Sequence, residues 1–245
     1  MSLKSSVKSI LPAFLKRVLF RRGIIQDFKP PVGTIQWGDL QRLTPLSTEF
    51  GYDRGGPVDR YYIELFLREN GEMIKGNVLE TGGNIYTHAF GQGKVTKSDV
   101  LHVVDGNPLA TYVGDLSKEN DLPSDHFDCI ILTQTLQMIY DCAGALQTCK
   151  RILKKGGCLL LTVPGITQID PGEWNRYWHW SFTSNSINRL LAETFDQGLA
   201  DVQVFGNVHI ATAFLYGMSI NEISKDSLNF TDPSYQVIIA AKVIK

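Results

Sequence analysis

The chain has 245 residues, 43% of them hydrophobic and 20% charged, with a formal net charge of −1. That composition suits one generous α/β domain or two small ones. No apolar run approaches the roughly 20 residues of a membrane-spanning helix, so a soluble or membrane-peripheral protein is expected.

Charge is spread unevenly. Lys4, Lys8, Lys16, Arg17, Arg21 and Arg22 fall in the first 22 residues with no acid among them, leaving about −7 on the remainder. Nucleic-acid binding asks for a basic face, so nucleic acid is not expected as a partner of that acidic remainder. Cys129, Cys142, Cys149 and Cys158 form no CxxC pair. No metal site is expected from them. They read as small buried hydrophobes of a reducing, cytoplasmic protein.

In chain order, Val7, Ile10, Leu11, Phe14, Leu15, Val18 and Leu19 make one apolar stripe at helical spacing. The spacing predicts a helix from about 10 to 22, with Pro12 in its first turn and Gly23 as its stop. Such a basic amphipathic helix suits packing on the domain or on a partner chain. Packing is the leading reading, with an anionic membrane surface or a targeting peptide as the alternatives. Residues 1–27 are taken as this element. Residues 28–57, with "KPPVGT" and "RGGPVD", are taken as an extended connector, and 58–245 as the main domain.

"VDRYYIELFLREN" (58–70) has helical periodicity, with Asp59 as N-cap or first-turn acid. Strands are then expected at 76–81, 94–99, 110–116, 127–136, 158–165, 201–206 and 235–244. Helices are expected at 141–157 and 186–195, the first ending on Lys154, Lys155 and Gly156-Gly157. Residues 207–234 form an insertion whose "HIATAFLYGM" suits the pocket rim or a homodimer contact. Apolar strands separated by crossovers predict a mainly parallel sheet covered on both faces, with ligands beyond the carboxyl ends of the strands.

Polar residues stand at those expected ends. Glu80 closes the first strand, Asp99 the second and Asp115 the third, while Thr133 and Gln134 close the fourth. Glu80 and Asp99 are 19 apart, near the offset between a glycine turn and a ribose-binding acid. Asp115 is expected to take an adenine amino group, with Leu116 packing on the ring. Single acids of this kind commonly cap turns. Three in step favour a bound nucleoside.

"VLETGG", "SDV", "GDL", "FDCIILTQTLQMIYD" and "LQTCKRILKKGGCLLLTVPG" together resemble the class I S-adenosylmethionine-dependent methyltransferases, over about residues 57–206. "FGYDRGGPVDRYYIELFL" and "WHWSFTSNSINRLLAETF" look like bacterial members found near glycosyltransferases in glycan gene clusters. The resemblance implies a Rossmann-like doubly wound seven-stranded sheet with the last strand antiparallel, and S-adenosyl-L-methionine as cofactor. It implies cofactor contacts from Glu80, Gly82, Gly83, Asp99, Val100, Asp115, Leu116, Thr133, Gln134 and Tyr61. The family's third glycine is replaced by Tyr86, and Asn84 stands at the second, where it tolerates a left-handed backbone. The helix behind this turn must be short or absent. An NAD site, which uses that helix dipole, is disfavoured.

The expected reaction is methyl transfer to an oxygen of a saccharide or other small molecule, in which the protein aligns the reactants and excludes water. "TQIDPGEWNRYWHWSFT" (167–183) makes an aromatic lid carrying His179 as candidate base, with Tyr177, Trp180 and Arg54 as candidate substrate contacts. A catalytically silent nucleoside- or partner-binding domain is the alternative.

Overall fold

The computed structural model describes residues 11–195 and 200–245. They divide into two compact units, split between Leu43 and Thr44. In the first, helix α1 (Ala13–Arg21) begins after Pro12, whose fixed φ and missing N–H cost nothing at a helix start. Gly23, at φ +68°, turns the chain away. α1 starts later than the expected residue 10, and Val7 and Ile10 of its predicted stripe lie outside the described residues. Arg17 donates to the Thr34 carbonyl and Arg21 to Gln36 Oε1 at 3.0 Å, which ties the helix to the segment that follows it.

The second unit is built from α2 (Val58–Glu69), β1 (Gly76–Thr81), α3 (Ile85–Phe90), β2 (Val95–His102), β3 (Tyr112–Val113) and β4 (Phe127–Thr133). It continues through α4 (Cys142–Ile152), β5 (Leu153–Pro164), α5 (Ser184–Thr194), β6 (Ala200–Phe205), α6 (Val208–Leu215), α7 (Lys225–Asn229) and β7 (Ile238–Ile244). The strands form one sheet in the order β3-β2-β1-β4-β5-β7-β6. β7 runs antiparallel between β5 and β6, and the other pairings are parallel. This is the mainly parallel Rossmann-like sheet with an antiparallel last strand that the sequence implies.

Both faces are covered. Ile63, Phe66 and Leu67 of α2 pack with Val78, Cys129 and Ile131 on one face. Leu146 and Cys149 of α4 and Ile187 and Leu191 of α5 pack with Leu79, Ile130 and Leu159 on the other. β4 is buried on both sides, which is why "FDCIILT" is almost continuously apolar. Each of these fully buried large side chains contributes about 1.5–3 kcal/mol of burial. Phe66→Ala therefore costs about 3–5 kcal/mol once its cavity is included. The four cysteines are buried free thiols, and burial pushes Cys149 and Cys158 up to about 12.

Several boundaries differ from the sequence reading. β2 runs on to His102, so Asp99 lies inside the strand rather than at its tip. β3 is only two residues long, and Asp115 follows it in a turn. α4 stops at Ile152, and Lys154 to Gly157 belong to β5, because Leu153 already pairs with Phe127. Its last-turn cations are instead Lys150 and Arg151. α5 begins at Ser184 because Thr183 and Ser186 form a capping box ahead of the apolar stripe. Residues 44–57 pack in the second unit: Gly51 and Gly55 approach residues 217–221 closely, and Pro57 bridges to Ser219.

Candidate active site

β1 delivers the chain to a left-handed turn at Gly82, φ +81°. The Gly82 N–H donates to the Leu101 carbonyl at 2.9 Å, and the Asn107 side chain donates to the Gly82 carbonyl at 3.0 Å. A side chain added at Gly82 or Gly83 would meet no atom within 4 Å. The glycines thus border open space, and no neighbouring residue requires them to be small. Asn84 is not left-handed as expected: its φ is −133°, and it starts α3, its carbonyl accepting the His88 N–H. Tyr86 is accommodated because α3 has only six residues. Its ring stacks on Phe90 at 6.1 Å and its hydroxyl accepts from Arg60.

The three acids expected to converge do not. Leu79 pairs with Asp99 and Glu80 with Val100, so alternation along the strands sends Glu80 and Asp99 to opposite faces of the sheet. Glu80 is buried and caps α3, accepting the N–H groups of Tyr86 (3.1 Å) and Thr87 (2.7 Å) and the Thr87 hydroxyl (2.7 Å). Burial pushes its carboxyl up, and those hydrogen bonds only partly offset it. Asp99 is fully buried beside Lys97 Nζ, 3.0 Å away. Asp115 accepts the N–H and hydroxyl of Ser117, at 2.9 and 2.7 Å. Leu116 belongs to the core with Leu101 and Leu136 rather than to an open ring-packing surface. Val100 is likewise core. The residues beyond the β2 tip are instead Val103 and Val104, about half exposed, then Asp105. They adjoin the glycine turn through Asn107.

At the β4 tip, Thr133 pairs with Thr162 of β5. Gln134 follows at φ +47°, a left-handed backbone that costs a non-glycine residue about 1–2 kcal/mol. Its buried Nε2 has no hydrogen-bond partner. The Thr135 hydroxyl meets that of Thr81 at 2.9 Å, joining the tips of β4 and β1. Buried Gln137 donates to the Gln134 carbonyl at 2.9 Å, while its Oε1 is unpartnered.

The lid is anchored here. The N–H groups of His179 and Trp180 both donate to the Gln137 carbonyl, and the Trp180 indole donates to the carbonyls of Ile139 and Tyr140. His179 is exposed, its ring edge-on to Tyr140 at 5.5 Å. Tyr177 packs against Trp174, with Arg176 over its ring. Trp178 stacks on Phe50, and its buried indole nitrogen has no partner.

Two expected contacts are engaged elsewhere. Arg54 pairs with Glu222 at 2.6 Å, and the Tyr61 hydroxyl donates to Asn229 at 2.7 Å, both within the 207–234 insertion. Sequence reasoning missed Thr81, Thr135 and Gln137 at the tips. It took Asp59 only as a helix-start acid. The i, i+4, i+7 relation of Asp59 to Ile63 and Phe66 was the signal that it faces the sheet.

The sheet order and an open glycine turn at the carboxyl tips define a Rossmann-like α/β class. The family model described as a methyltransferase domain matches residues 58–202. The chain belongs to the methyltransferase domain family. Among curated proteins it is similar to the ubiquinone/menaquinone biosynthesis C-methyltransferase UbiE of Proteus mirabilis, 31% identical over 103 residues. That match covers 42% of this chain and 37% of the relative's length. Among solved structures, a SAM-dependent methyltransferase from Archaeoglobus fulgidus superposes with TM-score 0.50 at 12% identity, covering 76% of this chain and 94% of that one. Haemonchus contortus phosphoethanolamine N-methyltransferase 2, in complex with S-adenosyl-L-methionine, gives TM-score 0.52 at 16% identity, covering 88% and 61%. At these identities the two structures share the fold.

Proposed function

We propose that this chain transfers a methyl group from S-adenosyl-L-methionine to an oxygen of a saccharide or other small molecule. The observation that carries the reading is the open Gly82-Gly83 turn, flanked by the β2 tip and by the aromatic lid pinned to Gln137. The residues present fit the donor: the crevice offers a backbone turn free of side chains, exposed Val103 and Val104 for an adenine ring, and Asp105 beyond the β2 tip for ribose hydroxyls. When bound, the donor supplies an electrophilic methyl group on a sulfonium. Thr133 and Gln134 border its reacting end from the β4 tip, and the lid excludes water.

A hydroxyl acceptor must lose its proton, and His179 is the exposed imidazole of the lid that takes it. Tyr177 and Trp180 supply flat apolar surface of the kind that stacks on sugar rings. The P. mirabilis relative is named for methylation at carbon. Where the methyl group lands separates the two chemistries.

No helix among the described residues is long and apolar enough to cross a membrane. Exposed Phe14 and Val18 of α1, beside Arg17 and Arg21, support peripheral contact with an anionic membrane surface. The test is transfer of a labelled methyl group from S-adenosylmethionine to a panel of sugars, with product linkage read by mass spectrometry. An O-methylated product is expected. A carbon-methylated product replaces the oxygen assignment, and no binding of S-adenosylhomocysteine at millimolar concentration removes the enzyme reading.

A further inference from the structure

Beyond the carboxyl ends of β4 and β5, three enclosed polar atoms have no partner among the described residues: Gln137 Oε1, Gln168 Oε1 and the Trp178 indole nitrogen. They come from two segments that the fold brings together. β4 and β5 are ladder neighbours; Gln137 lies in the turn after the first, and Gln168 four residues past the end of the second. The chain from Gln168 then returns to Gln137, whose carbonyl accepts the N–H groups of His179 and Trp180. Trp178 stands one residue from that junction.

An enclosed polar group without a partner is costly, and folds leave few of them. Gln137 is 1% exposed, and its amide nitrogen is already spent on the Gln134 carbonyl, which fixes the side chain and leaves the oxygen idle. Trp178 is held by its ring, which stacks on Phe50 with the planes 14° apart. Phe50 has φ +58°, a left-handed backbone that a bulky side chain rarely adopts. Strain of that kind persists where the surroundings enforce it, and it gathers at ligand sites. Here it sets the ring that orients the indole.

The chemistry of the three atoms narrows the ligand. Two accept and one donates, so partners of both kinds are required. A hydroxyl supplies both from one atom, whereas a carboxylate has no donor and an ammonium no acceptor. None of the three is charged. The lid's own ions are turned elsewhere: Glu173 and Arg176 are exposed, and Asp170 accepts the Trp174 N–H at 3.1 Å. An anion held by these three would give up its water for neutral partners alone.

We propose that Gln137, Gln168 and Trp178 form an acceptor subsite, resting on the methyl-transfer reading above, that selects an uncharged polyhydroxylated ring over its acidic counterpart. The two glutamine oxygens accept from ring hydroxyls, and the indole donates to one.

The test compares labelled-methyl transfer from S-adenosylmethionine to methyl α-glucopyranoside and to methyl α-glucopyranosiduronate. The two rings differ only in a hydroxymethyl group against a carboxylate. Wild type is expected to show kcat/KM at least tenfold higher on the neutral ring. Trp178→Phe keeps an aromatic ring against Phe50 and removes the N–H, and Gln168→Met keeps the length and removes the oxygen. Each is expected to raise KM for the neutral ring at least tenfold while S-adenosylhomocysteine affinity stays within twofold, a split that loss of folded protein does not produce. Equal or better use of the acid, an unchanged KM in either variant, or S-adenosylhomocysteine binding with transfer to neither ring overturns the subsite. Wild-type protein that does not bind S-adenosylhomocysteine overturns the methyl-transfer reading beneath it.

Discussion

Leu79 and Asp99 are ladder partners across β1 and β2, which puts Asp99 in the interior on the Leu79 face, away from Glu80. Asp99→Asn is therefore expected to leave S-adenosylhomocysteine affinity within about threefold. Its effect on stability should stay within about 1 kcal/mol, since the lysine left behind is half exposed and remains in water. Titration and thermal melting check this, and a tenfold loss of affinity would return Asp99 to the site.

Asp59 carries a pH signature. Burial raises its folded carboxyl above the ordinary value, while the Arg60 guanidinium lowers it and Tyr86 lies close by. A raised folded value means the proton is held more tightly in the native state. The resulting stabilisation is complete below about pH 3.9 and is lost as pH rises through the folded value. Asp59→Asn removes the buried charge, so the variant should melt above wild type at pH 7, with the gap closing towards pH 4. A constant gap across that range contradicts the assignment.

The mainly parallel strands and the existence of α5 were legible because apolar runs and turn glycines are local signals, and the antiparallel last strand was legible only through the family resemblance. The fate of the acids was not. Whether Glu80 or Asp99 faces the crevice depends on strand register, and a β2 that ends three residues later than expected moved the tip to His102. The Arg54–Glu222 and Tyr61–Asn229 contacts join residues 168 apart in sequence, beyond any spacing rule. Asp59 was hidden because a helix-start acid has an ordinary explanation.

Gln134 trades backbone strain for position. Gln134→Gly relieves the left-handed backbone, and the extra chain entropy of glycine offsets about 0.5–1 kcal/mol of that gain. Stability should hold or rise while turnover falls at least tenfold, because the unpartnered amide at the β4 tip is gone. A steady-state assay beside a denaturant melt reads both, and unchanged turnover would make the strain structural.

His179→Gln should lower kcat by about two orders of magnitude while leaving S-adenosylhomocysteine affinity unchanged. His179 is exposed in the lid, so the melting temperature should hold. Unchanged kcat would assign the proton to another group.

The most direct measurement is titration of S-adenosylhomocysteine into wild type and Gly83→Val, each with its melting temperature. Gly83 lies outside the left-handed region and faces open space, so valine should leave the melting temperature within about 2 °C, at most about 1 kcal/mol for a chain this size. It should also fill the cradle and weaken binding at least tenfold. Equal affinity in the two proteins, at equal stability, would contradict a donor seated on the glycine turn.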